Sequence, residues 1–154
     1  MSDSLESLAR QLEASPDYRV LRRFVPPSRY HEGDGSPTAT GVVVDVETTG
    51  LDPTRDKIIE FCGVPFEFEK ESGRILAVGE AVSYLEDPGR PIPAEVTKLT
   101  GITDAMVAGK RIDEAAVGTL LADVGLVIAH NAAFDRPFVD RRLPASRDKA
   151  WACS

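Results

Sequence analysis

Gly41-Val-Val-Val-Asp-Val-Glu-Thr-Thr-Gly50 decides how the rest of the chain is read. Val42, Val44 and Val46 alternate with Val43, Asp45 and Glu47, and β-branched residues this dense favour a strand. Valines on both alternating sets predict burial on both faces, as in the interior of a sheet. Two acids interrupt the downstream end. Side chains repeat every second residue in a strand, so Asp45 and Glu47 project from one face. Two carboxylates held side by side in a sheet core repel each other and lose hydration, and they stay ionised only with a compensating cation. Hard oxygen donors suit magnesium or manganese better than zinc. The alternative, on local pattern alone, is a strand end that runs into solvent with both acids wet.

Downstream, Thr48-Thr-Gly-Leu-Asp-Pro53 is turn chemistry. Residues 57–68 read as a second strand, Phe66 and Phe68 alternating with Glu67 and Glu69, with Pro65 marking a bulge or an edge position. After a tight turn at 70–73, residues 74–85 read as the returning strand of a hairpin. The first three strands are therefore expected to be consecutive and antiparallel. Pro93 is placed for the first position of a helix that Gly101 caps, and 102–109 predicts a second short helix capped by Thr103. Ile112, Ala115, Ala116, Leu120 and Val124 form one stripe of a helix over 112–124, which Gly125 would end. Leu126-Val-Ile-Ala129 suits a buried parallel strand. A helix follows over 131–143, with Asn131 as its cap, Phe134, Phe138 and Leu143 inward, and Pro137 confined to its first turn or so. Ala150-Trp-Ala-Cys153 opens one more strand. The class is α/β: a mixed sheet with three antiparallel strands, then helices and parallel strands. Open sheets bind ligands beyond the carboxyl ends of their strands. If 126–129 lies parallel to 41–47, Asp135 opens onto Asp45 and Glu47. The competing account of Asp135 is a first-turn acid favoured by the helix dipole.

Upstream, Leu5, Leu8, Ala9 and Leu12 recur at helical spacing behind a candidate cap at Ser4, and the helix should end near Ser15-Pro16. Residues 18–25 suit an edge strand or a short helix. Arg19, Arg22, Arg23 and Arg29 fall in a stretch, 18–30, without an acid. That stretch is either a basic arm for phosphates or solvated charge on a docking extension. Pro, Ser, Gly, Asp and Thr between Pro26 and Thr40 mark a linker. The division expected is an N-terminal helical and basic extension with linker over 1–40 and the main domain over 41–154. A length of 154 residues and 42% hydrophobic content support one core. The net charge of −7 excludes a polycation that holds nucleic acid by bulk charge, although bound divalent ions can reverse the field at a site. Cys62 and Cys153 have no zinc-ligand spacing and read as buried thiols of a reducing compartment. With no apolar run for a signal peptide or a membrane span, the cytoplasm is the expected location, with no membrane partner.

Three segments are more specific together than apart: Asp45-Val-Glu-Thr-Thr-Gly50, Leu99-Thr-Gly-Ile-Thr103 and His130-Asn-Ala-Ala-Phe-Asp135. In that order they resemble the DnaQ-like DEDD 3′–5′ exonucleases, in the histidine (DEDDh) branch. This is the family of the epsilon proofreading subunit of bacterial DNA polymerase III. The resemblance runs from about Gly41 through Trp151-Ala-Cys-Ser154 and implies an RNase H-like fold. It also implies that Asp45, Glu47 and Asp135 are three of four metal-binding acids. Two magnesium or manganese ions, about 3.5–4 Å apart, would clamp the scissile phosphate, one activating water and the other stabilising the departing 3′ oxygen. By the same resemblance Thr48, Thr49 and Gly50 lie along the terminal nucleotide, with Leu51 as an apolar wedge against the last base. Ordinary core packing is the alternative for Leu51. Asn131 would help orient the terminal nucleotide, although capping alone explains it, and Ile102 is a weaker candidate for a base contact.

One departure matters. The family's third motif, with its general base and fourth acid, lies downstream of the strand that begins near Trp151, and this sequence stops at Ser154. His130 belongs to the second motif and His31 to the linker, so neither supplies the base. The expectation is an exonuclease domain that is C-terminally incomplete, weak or inactive as it stands, and self-associating through an exposed apolar surface. Its expected partners are single-stranded 3′ ends of DNA or RNA, and a DNA polymerase. The alternative is a catalytically degenerate module that binds nucleic-acid ends or a polymerase without cutting.

Overall fold

The structure, a computed structural model, describes residues 2–154. Helix α1 (Ser2–Glu13) precedes strand β1 (Thr38–Thr48), β2 (Ile58–Glu69), β3 (Ile75–Val78) and β4 (Val82–Leu85). Then come α2 (Ala94–Thr100), α3 (Asp104–Val107), α4 (Glu114–Ala122), β5 (Val124–Ala129), α5 (Ala132–Arg142) and β6 (Ala150–Cys153). The strands form one mixed sheet in the order β3-β2-β1-β5-β6, with β4 also paired to β2. β1 runs antiparallel to β2 and parallel to β5, which is parallel to β6. The expected three antiparallel strands and the parallel strands after them are therefore present.

The valine run explains why β1 is central. Val42, Val44 and Val46 are nearly inaccessible and pack with Phe61, Val127, Val117 and Leu121 of α4, and Phe138 and Val139 of α5. Each such side chain stabilises the fold by roughly 1.5–3 kcal/mol. The other face of β1 is not covered, against the expectation of burial on both sides: Val43 is 45% exposed. There Val43, Val64, Phe66, Phe68, Ile75, Val78, Leu126 and Ile128 line an open apolar groove of about 430 Å³. The outer end of the Phe66 ring lies against Gly41, where a Cβ would come within 2.3 Å of Cζ.

Other expectations shift for identifiable reasons. The returning strand divides into β3 and β4, both pairing with β2. Pro65 is neither at an edge nor in a bulge. Its carbonyl accepts from Gly79 N at 2.8 Å, so its missing N–H faces the seam where β2 changes partner from β4 to β3. Pro137 lies well inside α5 rather than in its first turn. Gly125 belongs to β5; α4 ends at Ala122, three residues earlier, with Asp123 at its C-cap. Ser4 lies inside α1 and does not cap it. Residues 18–25 form neither strand nor helix, and Arg22 spends its charge on Glu6 (2.7 Å) and Glu13 (3.3 Å) of α1. The linker does touch the sheet: Tyr30 N donates to Leu76 O at 2.7 Å, and Val78 N donates to Ser28 O at 3.0 Å. Cys153 is exposed and only Cys62 is partly buried, both as free thiols. Among the described residues no helix is long and apolar enough to cross a membrane.

Candidate active site

Strand alternation puts Asp45 and Glu47 on the uncovered face, downstream of Val43 and beyond the apolar groove. Asp45 is exposed and Glu47 half-buried. Parallel pairing of β5 with β1 delivers the third acid. The chain leaves β5 through His130 and Asn131, turns in the left-handed conformation at Asn131 (φ 58°), and enters α5. Asp135, in the opening turn of that helix, is only 2% exposed, and its Oδ1 accepts from the Val46 backbone N–H at 3.2 Å. That bond fastens an acid from α5 to the strand between Asp45 and Glu47.

The electrostatics are those of crowded like charges. Burial raises the Glu47 carboxyl above its ordinary value, and the charges of Asp45, Glu60 and Asp135 raise it further. Burial also raises Asp135; the Val46 N–H opposes the shift, Asp45 adds to it, and His130 draws it back. Glu60, directly across the β1–β2 ladder from Glu47, was not singled out in the sequence. The signal was there, as the lone acid in Lys57-Ile-Ile-Glu-Phe61. Reading it required the β1–β2 register.

The oxygen-only donor set, with two of its carboxyls held above their ordinary range, has the chemistry of a hard divalent-cation site. Among the described residues no three His, Cys, Asp or Glu side chains are spaced to hold one ion as they stand. Asp45 and Glu47 line the open face, the first exposed and the second half-buried, whereas Asp135 is held by its backbone bond.

The remaining sequence candidates separate. The Thr48 hydroxyl donates to Gly50 O at 2.6 Å, and the Thr49 hydroxyl to Asp56 Oδ1 at 3.2 Å. Both threonines are buried and their side chains hold the turn. Leu51, at the tip, is 83% exposed, which removes core packing as its explanation. Asn131 is exposed and makes no capping hydrogen bond, so capping does not account for it. Ile102 is a correction: it is buried with Ile59, Ile92 and Val107 and has no surface to offer a base. Gly101 caps α2 in the left-handed conformation (φ 78°), as the sequence led one to expect.

Known proteins resemble this chain in sequence and in fold. The RNase T exonuclease family model matches residues 42–145. The DNA polymerase III subunit epsilon-like protein of Rhodobacter capsulatus is 43% identical over 112 residues, 67% of this chain and 14% of that protein. A PolC-type DNA polymerase III of Listeria welshimeri is 40% identical over 108 residues, 69% of this chain and 7% of its own length. The chain thus spans a small part of these relatives. Exonuclease X, solved in complex with 5′ overhanging duplex DNA, superposes with a TM-score of 0.51 at 31% identity, covering 73% of this chain and 58% of that one. Since the family match takes in most of β1 and all of α5, the two elements that carry Asp45, Glu47 and Asp135, this chain belongs to the RNase T exonuclease family and has its RNase H-like fold.

Proposed function

We propose that this chain carries the nucleotide-binding and metal-binding part of a 3′–5′ exonuclease that removes nucleotides from the 3′ ends of DNA or RNA. The observation that carries the reading is Asp135, which α5 sets against β1 between Asp45 and Glu47 and holds there through Val46 N–H. Asp45, Glu47 and Asp135 would hold magnesium or manganese. Bound there, the ions would supply charge neutralisation at the scissile phosphate and would ease deprotonation of the water that attacks it. The chain's own contribution is a field of carboxylates and a braced turn at 48–51, with the exposed Leu51 projecting where a terminal base would stack. Neither histidine, His31 or His130, matches the family's general base. A general base and a fourth acid matching the family's third motif are not among residues 1–154. Positioned proton transfer is worth about 10²–10⁴-fold, so the isolated chain is expected to be slow.

The relatives named as DNA polymerase III components make a replicative polymerase the partner we favour. The open groove beside Val43 and Phe68 is a surface through which two copies of the isolated chain would associate.

A 5′-labelled single strand incubated with the chain and Mn²⁺ tests the assignment. Shortening from the 3′ end that is blocked by a 3′-phosphate and lost in Asp45→Ala and Asp135→Ala supports it. Normal activity in either folded variant refutes it. Tight 3′-end binding without cleavage, even with the missing base and acid supplied, favours the end-binding alternative.

A further inference from the structure

The geometry points to Asp56 and Arg90 as positioning residues that latch the 48–52 turn to the segment leading into α2, and so fix the gap into which a nucleic-acid 3′ end must fit. This rests on the exonuclease reading above.

One carboxylate does most of the gathering. Asp56 Oδ1 accepts from the Thr49 hydroxyl at 3.2 Å and from Arg90 Nη2 at 2.6 Å, while Oδ2 accepts from Asp52 N at 2.9 Å. The turn's backbone closes around it: Asp56 N donates to Asp52 O at 2.7 Å, and Thr49 N to Lys57 O at 2.9 Å. Thr49 Oγ1 also accepts from Lys57 N at 3.1 Å and from Arg90 Nη2 at 2.7 Å. Gly50 makes room for this: a Cβ there would stand 2.5 Å from Asp56 Oδ2. The amide of Asp52 and the Arg90 guanidinium hold the Asp56 carboxyl below its ordinary value, so it stays charged under working conditions.

Arg90 comes from a different arm. It precedes Pro91-Ile-Pro93 and α2, a segment itself pinned by Ile92 N donating to Asp104 Oδ1 at 2.8 Å and by burial of Ile92. A third tie runs from Arg141 of α5 to the Pro53 carbonyl, so the helix that carries Asp135 also grips the turn. Two large apolar side chains project from the arms that the latch joins: Leu51, 83% exposed, on the turn, and Leu99, 85% exposed, on α2. A tied backbone that holds leucines in water gains nothing for the core. It does pre-set the spacing of two apolar contacts for a ligand, which lowers the ordering cost of binding. The Arg90 side chain is 44% exposed, and ion pairs so placed contribute little to global stability, so cutting the latch should loosen the turn without unfolding the chain.

The test uses the full chain with Arg90→Met, Asp56→Asn and, as the conservative control, Arg90→Lys. Hydrogen exchange of peptides spanning 49–57 reads the latch. Fluorescence anisotropy of a labelled oligothymidylate with a 3′-hydroxyl, in Ca²⁺ and against its 3′-phosphate counterpart, reads the consequence. Arg90→Met and Asp56→Asn should each speed turn exchange and weaken 3′-hydroxyl binding by about 10-fold or more, with the melting temperature nearly unchanged. Arg90→Lys should recover part of both. Unchanged exchange overturns the latch. Faster exchange with unaltered binding overturns the positioning role and leaves a merely structural tie. If the unmutated chain shows no preference for a 3′-hydroxyl end, the exonuclease reading fails and takes the substrate half of the proposal with it, while the exchange data still decide the latch.

Discussion

Replacing Asp135 by asparagine separates the two things this acid does. Asparagine keeps an oxygen for the Val46 N–H, now 3.2 Å away, so the α5–β1 fastening survives. What disappears is a charge that is 2% exposed and repelled by Asp45. Two like charges about 6 Å apart repel by ~3 kcal/mol at an effective dielectric near 20. Solvent around the exposed Asp45 screens that to about 1–2 kcal/mol. At about 2–4 °C per kcal/mol for a chain of this size, Asp135→Asn should melt about 2–8 °C above the unmutated chain at neutral pH in EDTA. The pH dependence has a definite sign. An acid whose carboxyl is raised in the folded state holds its proton longer folded than unfolded, so stability falls as pH climbs from the ordinary carboxylate range through the raised value. The variant should lose Asp135's share of that slope and keep the share that burial, Asp45 and Glu60 give Glu47. Manganese should reverse the ranking: an ion at 100 times its dissociation constant adds ~2.7 kcal/mol to a chain that binds it only when folded. Differential scanning fluorimetry across pH, with EDTA or MnCl₂, reads all three effects. A variant no more stable in EDTA, or one that gains as much from manganese as the parent, would refute the carboxylate-cluster argument.

The other expectations are simpler. Leu51→Ala should leave the melting temperature within about 1 °C, because the side chain lies in water. It should still weaken anisotropy-measured binding of a 3′-hydroxyl oligonucleotide several-fold; equal affinity would remove the wedge role. Val43→Lys, on the open face, should abolish concentration-dependent association in sedimentation velocity, and a persistent dimer would show that the copies meet elsewhere. Phe61→Ala removes a fully buried ring from between sheet and helices and should cost about 3–5 kcal/mol in urea denaturation, far more than any site variant.

Much of this was legible along the chain. The valine run made β1 a strand, its alternation put Asp45 and Glu47 on one side, and Gly101 and Thr103 marked real helix boundaries. The likeness of three short segments to those of a known family pointed to that family. Those signals are local: a strand's period of two, a left-handed cap and a fixed run of residues are written within a few positions. Tertiary structure alone decided which face of β1 is covered, that Glu47 stands opposite Glu60, that Ile102 is core, and that the Thr48 and Thr49 side chains close a turn. The same holds for Asp56 and Arg90, 34 positions apart, which meet only because the sheet brings their loops together. A periodicity names two faces without saying what packs on either, and a carboxylate's partner is set by register and crossover, which no window of sequence contains.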